Sequence, residues 1–164
     1  MDTRQKILSR EGLHAVLAEH RREDRRIVVA NGVFDMLHAG HVRYLQAARA
    51  EGDVLVVAIN SDASTRRLKG AGRPVLTERA RAALVAALGC VDYVLIFDEN
   101  DASGVLREFE PDVHAKGTDY SQGTLPGPER EAALALGIRV AIVGDPKAHS
   151  TRELLARLRA GKHG

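Results

Sequence analysis

The sequence has no tryptophan, a single cysteine, three tyrosines and three phenylalanines. With aromatic residues at 4%, it lacks the stacking platform on which single-stranded nucleic acids bind. The lone Cys90 excludes an internal disulfide and points to a cytoplasmic location; it is expected to fill core rather than act as a nucleophile. No apolar run is long enough to span a membrane, and the polar start from Met1 to Arg10 has no signal-peptide core. Charge of one sign is also missing. Lys and Arg number 24 against 22 Asp and Glu, a net +2, so no polycationic face announces nucleic acid. No Ser/Gly/Pro linker and no internal repeat divides the chain. What is present is 45% apolar and 28% charged residues over 164 positions, enough for one domain with one real core.

Short apolar runs alternate with helical stretches. Strands are predicted at Arg26–Ala30, Val54–Asn60, Tyr93–Phe97, Val113–Ala115 and Arg139–Val143. Helices are predicted near His41–Glu51, Thr77–Leu88, Ala102–Phe109 and Pro128–Leu136, with a last one starting after Ser150-Thr151 and running to about Ala160. A first helix over Arg10–Glu19, capped by Ser9, completes the set. The strands are almost wholly apolar, as strands covered by helices on both faces must be. Such alternation predicts an α/β fold, a doubly wound parallel sheet of five or so strands with flanking helices. Residues 1–25 are expected to be an N-terminal helical extension and 26–160 the domain proper.

In such sheets ligands bind outside the carboxyl ends of the strands. The first predicted strand ends in Asn31-Gly32-Val33-Phe34-Asp35-Met36-Leu37-His38-Ala39-Gly40-His41, where strand gives way to helix. Backbone N–H groups and the helix dipole favour an anion there, and imidazoles add hydrogen bonds and, when protonated, charge. The second strand ends in Asn60-Ser61-Asp62, followed by a basic, glycine-rich loop from Arg66 to Arg73. The fourth ends in Lys116-Gly117-Thr118-Asp119-Tyr120, and the fifth leads to His149-Ser150-Thr151-Arg152. Cationic and hydroxylic groups thus converge on one sheet edge, the pattern of a triphosphate cradle. Asp35, His38 and His41 also recur at three-residue spacing. With no cysteine or fourth ligand nearby, the turn suits an anion better than a metal.

The segments GVFDMLHAGH, LKGAGRPV, KGTDY and HSTREL, in that order, resemble the nucleotidyltransferase (cytidylyltransferase-like) superfamily with its HxGH signature. Within it the chain most resembles the stand-alone D-glycero-β-D-manno-heptose 1-phosphate adenylyltransferases; it has no room for the sugar kinase to which such enzymes can be fused. The similarity runs from about Arg26 to Arg159. The chain departs from the family pattern at Arg152, where a second Thr is usual, at Thr118, where a second Gly is usual, at His114, where an aliphatic residue is usual, and across Ser121–Pro128.

The resemblance implies a Rossmann-like fold and transfer of a nucleotidyl group, AMP from ATP, to a sugar phosphate, with pyrophosphate released. It implies His38, His41, Lys69 and Arg81 as catalytic residues. Val33, Phe34, Gly40, Lys116, Gly117, Asp119, Tyr120, Ser150 and Thr151 would join the histidines around the nucleotide. Asp35, Asn60, Asp62 and Lys69 would face the acceptor. Mg²⁺ is expected with the triphosphate, without a dedicated protein cage, and Asp35 as an outer-shell partner. A triphosphate beside the histidines is expected to favour imidazolium. The expected partners are a nucleoside triphosphate and a phosphorylated small molecule, with neither nucleic acid nor membrane; a homodimer is compatible. A cytidylyltransferase for glycerol 3-phosphate, and a nucleotide-binding regulator without turnover, are the competing readings.

Overall fold

The computed structural model describes residues 2–121, 123–146 and 151–161. Six strands form one wholly parallel sheet: β1 (Ile7–Leu8), β2 (Ile27–Gly32), β3 (Val54–Asn60), β4 (Tyr93–Phe97), β5 (Val113–Gly117) and β6 (Arg139–Val143), in the order β1-β4-β3-β2-β5-β6. Among the described residues seven α-helices accompany them: α1 (Arg10–Arg22), α2 (Ala39–Arg49), α3 (Asp62–Lys69), α4 (Glu78–Ala86), α5 (Ser103–Phe109), α6 (Gly127–Leu136) and, after the last strand, α7 (Thr151–Arg159).

The period of two along the strands sorts the core into layers. Val28 and Ala30 of β2, with Leu55, Val57 and Ile59 of β3, pack against Leu45 and Ala48 of α2 and Ala82, Val85 and Ala86 of α4. Their strand neighbours Ile27, Val29, Val54, Val56 and Ala58 face α1, α5 and α6 through Leu13, Leu17, Leu106, Phe109 and Ala132. Each fully buried Leu or Val contributes about 1.5–3 kcal/mol against exposure, so both layers hold the sheet rigid. This is the doubly wound, Rossmann-like arrangement, with six strands where five or so were expected. Among the described residues, no helix is long and apolar enough to cross a membrane.

Two segments differ from expectation. Residues 7–8 pair in parallel with β4 (Ile7 with Val94, Leu8 with Leu95), and Leu13 and Leu17 are fully buried. Residues 7–8 therefore add an edge strand to the sheet, and α1 contributes Leu13 and Leu17 to the core. The basic stretch after β3 is a helix as far as Lys69. Ser61 caps it by accepting from Ser64 N at 3.0 Å. Its buried residues are Ser64 and Thr65, whose hydroxyls donate to Glu99 O (2.8 Å) and Ser61 O (2.7 Å). A helix that buries polar groups leaves no apolar stripe in the sequence. The predicted Ser9 cap is present, with Gly12 N donating to Oγ at 3.1 Å. Cys90 packs beside the core, half-buried.

Candidate functional site

From β2 the chain moves outward to β3 and β4, then returns to place β5 on the other side of β2. The helices that follow β2 and β5, α2 and α6, lie on opposite faces, so the sheet opens between these two strands at its carboxyl edge. A cleft of about 1180 Å³ lies there. Its floor is Asn31 and Gly32 of β2, Asn60 of β3, Lys116 and Gly117 of β5, and Val143 of β6.

The β2–α2 turn forms the centre. Phe34 and Met36 take φ of 52° and 55°, a left-handed conformation costly for residues with a Cβ. The neighbours determine it: Phe34 is buried, its ring edge-on to His41 (5.3 Å) and stacked with Tyr44 (6.4 Å). The Tyr44 hydroxyl donates to Ala115 O at 2.8 Å, which ties α2 to β5. Burial above all pushes the Tyr44 phenol far up, so it stays a donor. His38 is the N-cap of α2 and forms a reciprocal box with His41. Gly40 N donates to His38 Nδ1 (3.1 Å) and His38 N to His41 Nδ1 (3.4 Å), while the two rings stack at 3.8 Å. Both Nδ1 atoms are acceptors, so each ring carries its proton on Nε2. The pair is thereby held beside the first-turn amides of α2.

The β5 wall is a buried polar cluster. Lys116 Nζ donates to Glu129 Oε2 (2.9 Å) and to Asn31 Oδ1 (3.3 Å), and lies 4.4 Å from the Tyr120 ring centre. Glu129 Oε1 accepts the Ala102 N–H at 3.0 Å. His114 is fully buried with Nε2 2.9 Å from Asn31 Oδ1. Because Lys116 also donates to that oxygen, His114 Nε2 must carry the proton. Its Nδ1 has no hydrogen-bond partner among the described residues. Burial, helped by the Lys116 charge, lowers the His114 pKa to about 4. Thr118 donates to Asp145 O at 2.7 Å and Arg43 pairs with the Asp145 carboxylate at 3.1 Å, closing the wall towards β6.

The cleft brings together Val33, Phe34, Asp35, His38, Gly40, His41, Asn60 and Lys69 on one side, and Lys116, Gly117, Asp119 and Tyr120 on the other. Two expected site residues stand outside it. Arg81 is 0% exposed. Its guanidinium donates to Leu76 O (3.0 Å), Val33 O (2.7 Å), Asn60 O (2.8 Å) and Asp62 Oδ1 (2.8 Å). It is a structural brace behind the β2 and β3 ends rather than a phosphate ligand, and Asp62, its partner, is not among the residues that line the cleft. The Asp35 carboxylate accepts Arg73 Nε (2.9 Å), Val75 N (2.8 Å) and Leu76 N (3.0 Å). Burial acts to raise its pKa, yet these donors leave it below the usual carboxylate range. It clamps the 73–76 loop to the β2–α2 turn. Ser150 lies outside the described residues, and of Thr151 only the helical backbone is described. Asn31, Arg73 and Glu129 line the cleft without having been assigned a role from sequence. Asn31 at a strand end was the legible signal; Glu129, in the first turn of α6, reads as an ordinary helix-start acid.

A parallel sheet whose switch point carries paired imidazoles at a helix N-terminus defines an α/β protein of the doubly wound class. The chain matches the family described as Cytidylyltransferase-like over residues 29–151 and belongs to it. It is 44% identical over 93% of its length to the bifunctional protein HldE of Syntrophotalea carbinolica, and 43% identical over 98% to that of Geotalea uraniireducens. It spans about a third of the length of these curated relatives (31% and 32%). Among solved structures, it is similar to a lipopolysaccharide core biosynthesis protein from Thermoplasma volcanium, with TM-score 0.64 and 31% identity over 75% of this chain and 99% of that one. A pantoate-β-alanine ligase from Francisella tularensis shares the fold, with TM-score 0.62 at 14% identity over 88% of this chain and 68% of that one.

Proposed function

We propose that the chain is an enzyme that transfers AMP from ATP to a sugar phosphate, D-glycero-β-D-manno-heptose 1-phosphate or a close analogue. A phosphate oxygen of the acceptor attacks the α-phosphorus of the nucleotide. The bond from that phosphorus to the α–β bridging oxygen breaks, and pyrophosphate leaves with the bonding electrons. The product is a nucleotide-sugar, with inversion at phosphorus after a single displacement and no covalent enzyme intermediate.

The single observation that carries this reading is the stacked His38–His41 pair at the N-terminus of α2, both Nδ1 atoms turned to the backbone. Such a pair suits the charge that builds on the departing phosphates. Attacker and target are both anions. At an effective dielectric near 20, one unit-charge pair 4 Å apart is worth about 4 kcal/mol, so positive groups on both sides of the cleft are required. Similarity to HldE and to a lipopolysaccharide core biosynthesis protein supports the sugar phosphate over glycerol 3-phosphate.

Magnesium is taken to arrive with the nucleotide as part of the substrate. Among the described residues no group of three or more His, Cys, Asp or Glu is placed to hold a metal. In this reading triphosphate oxygens and water hold the ion.

Pyrophosphate release tests the reading with ATP or CTP against heptose 1-phosphate or glycerol 3-phosphate. Release is expected with ATP and the heptose phosphate. Release with CTP and glycerol 3-phosphate alone would install the cytidylyltransferase. Nucleotide binding with no release for any pair would leave a binding protein without turnover.

A further inference from the structure

We infer that Arg73 binds the phosphate of the acceptor, and that Asp35 fixes where it does so; this rests on the nucleotidyl-transfer reading. The inference comes from how Arg73 spends its donors. Arg4, a surface arginine, meets Asp2 side-on through Nε and Nη2 (2.9 and 2.7 Å). Arg81 uses all three nitrogens on protein oxygens. Arg73 gives only Nε, to Asp35 Oδ2 at 2.9 Å. Its Nη1 and Nη2 have no hydrogen-bond partner among the described residues, its side chain is 20% exposed, and it lines the cleft. A guanidinium held by Nε with its Nη edge turned to a cleft is a preformed fork for two phosphate oxygens.

Its position selects which phosphate. Arg73 lies in the connection after β3, which flanks β2 on the side away from β5. The groups expected at the nucleotide, His41, Gly117 and Tyr120, belong to α2 and the β5 end. An anion at Arg73 therefore sits across the β2–α2 turn from the nucleotide wall, where an in-line attacker must stand. Asp35 makes that spacing rigid. Its carboxylate, with the side chain 1% exposed, ties Arg73, Val75 and Leu76 to the turn that carries His38 three residues on. The acceptor phosphate and the histidine pair are thereby referenced to one short stretch of backbone, the kind of alignment that displacement between two anions needs. Lys69, exposed on the same wall, adds a second positive charge.

The test uses the full chain and its Arg73→Lys, Arg73→Gln and Asp35→Asn variants, each checked for a cooperative melt. Two measurements are made: calorimetric binding of heptose 1-phosphate and of glycerol 3-phosphate in the presence of a non-hydrolysable ATP analogue, and steady-state KM for acceptor and ATP. Arg73→Gln is expected to weaken phosphomonoester binding about 10- to 100-fold, the range for a charged hydrogen-bonding group. KM for ATP should stay within about twofold. Arg73→Lys should restore part of the affinity but not the full value, because an ammonium keeps the charge and loses the fork. Asp35→Asn should raise acceptor KM and lower kcat with analogue affinity intact, a split that a purely structural lesion would not give. Acceptor binding within twofold of wild type in Arg73→Gln would overturn the assignment. So would an equal rise in KM for ATP, which would place the arginine on the triphosphate, and so would a wild-type chain that binds no phosphomonoester. A wild-type chain that binds both ligands without releasing pyrophosphate would instead remove the proposed reaction, while the Arg73→Gln binding result would still decide this inference.

Discussion

Glu129 and Lys116 hold each other at 2.9 Å with side chains only 2% and 4% exposed. An ion pair this dry returns little net stability, but losing one member strands the other charge. Glu129 also accepts the Ala102 N–H that opens α5. Glu129→Ala is therefore expected to cost about 3–5 kcal/mol in denaturant unfolding. The double change Lys116→Met with Glu129→Leu should recover part of that loss, held below wild type by the unmet amide. A cost under about 1 kcal/mol for the single change would mean that the pair is solvated in solution.

Arg81 gives a sharper case of the same physics. Its guanidinium satisfies three carbonyl oxygens and the Asp62 carboxylate while wholly buried. Arg81→Met leaves those acceptors without donors, at about 1–3 kcal/mol each when buried, so the variant should melt far below wild type or fail to fold. Arg81→Lys should rescue little, since one ammonium cannot reach the same spread of oxygens. A stable Arg81→Met protein with only its acceptor KM raised would return this residue to the phosphate-binding set.

The contrast between Arg81 and Arg73 shows what the sequence could carry. Apolar strands and their order were legible because burial on both faces leaves a periodic trace, and the β3, β4 and β6 boundaries agree with the pattern. The His38–His41 corner was legible because a strand end meeting a helix start leaves its own signature. Which arginine faces ligand and which braces the backbone was not legible. The difference lies in carbonyl oxygens contributed by Leu76 nearby and by Val33 and Asn60, which are 48 and 21 residues away along the chain. Helix α3 was missed for a related reason, since Ser64 and Thr65 fill its buried face with hydroxyls. The two-residue β1 is too short for any period to register.

His41 serves both the helix cap and, under the proposed function, the phosphates, and two substitutions separate these roles. Asparagine can place an acceptor where Nδ1 takes the His38 N–H, but it has nothing at the Nε2 position. His41→Asn should therefore keep most of the wild-type melting temperature and lose about 10²–10³ in kcat, the usual consequence of removing one transition-state donor. His41→Ala should lose the same turnover and, in addition, about 0.5–2 kcal/mol of stability with the cap. Full turnover in either correctly folded variant would remove the histidine from the chemistry.

His114 sets a pH dependence that belongs to the fold rather than to catalysis. It is wholly buried against Asn31, with Lys116 and Glu129 as the charged neighbours, and burial above all lowers its pKa from 6.5 to about 4. Below pH 6.5 the unfolded chain takes up a proton that the folded chain refuses, so stability falls as pH drops towards 4 and is level above 6.5. The shift corresponds to about 3 kcal/mol over that window. Asp35 acts lower still: its depressed pKa supports the fold above the ordinary carboxylate range and is lost only as pH falls through that depressed value. His114→Leu should remove the slope between pH 6.5 and 4 while leaving stability at pH 7 little changed, because the substitution also deletes a buried nitrogen that has no partner among the described residues. Denaturant midpoints measured across that range check it, and an unaltered acid slope in His114→Leu would show that another group carries the transition.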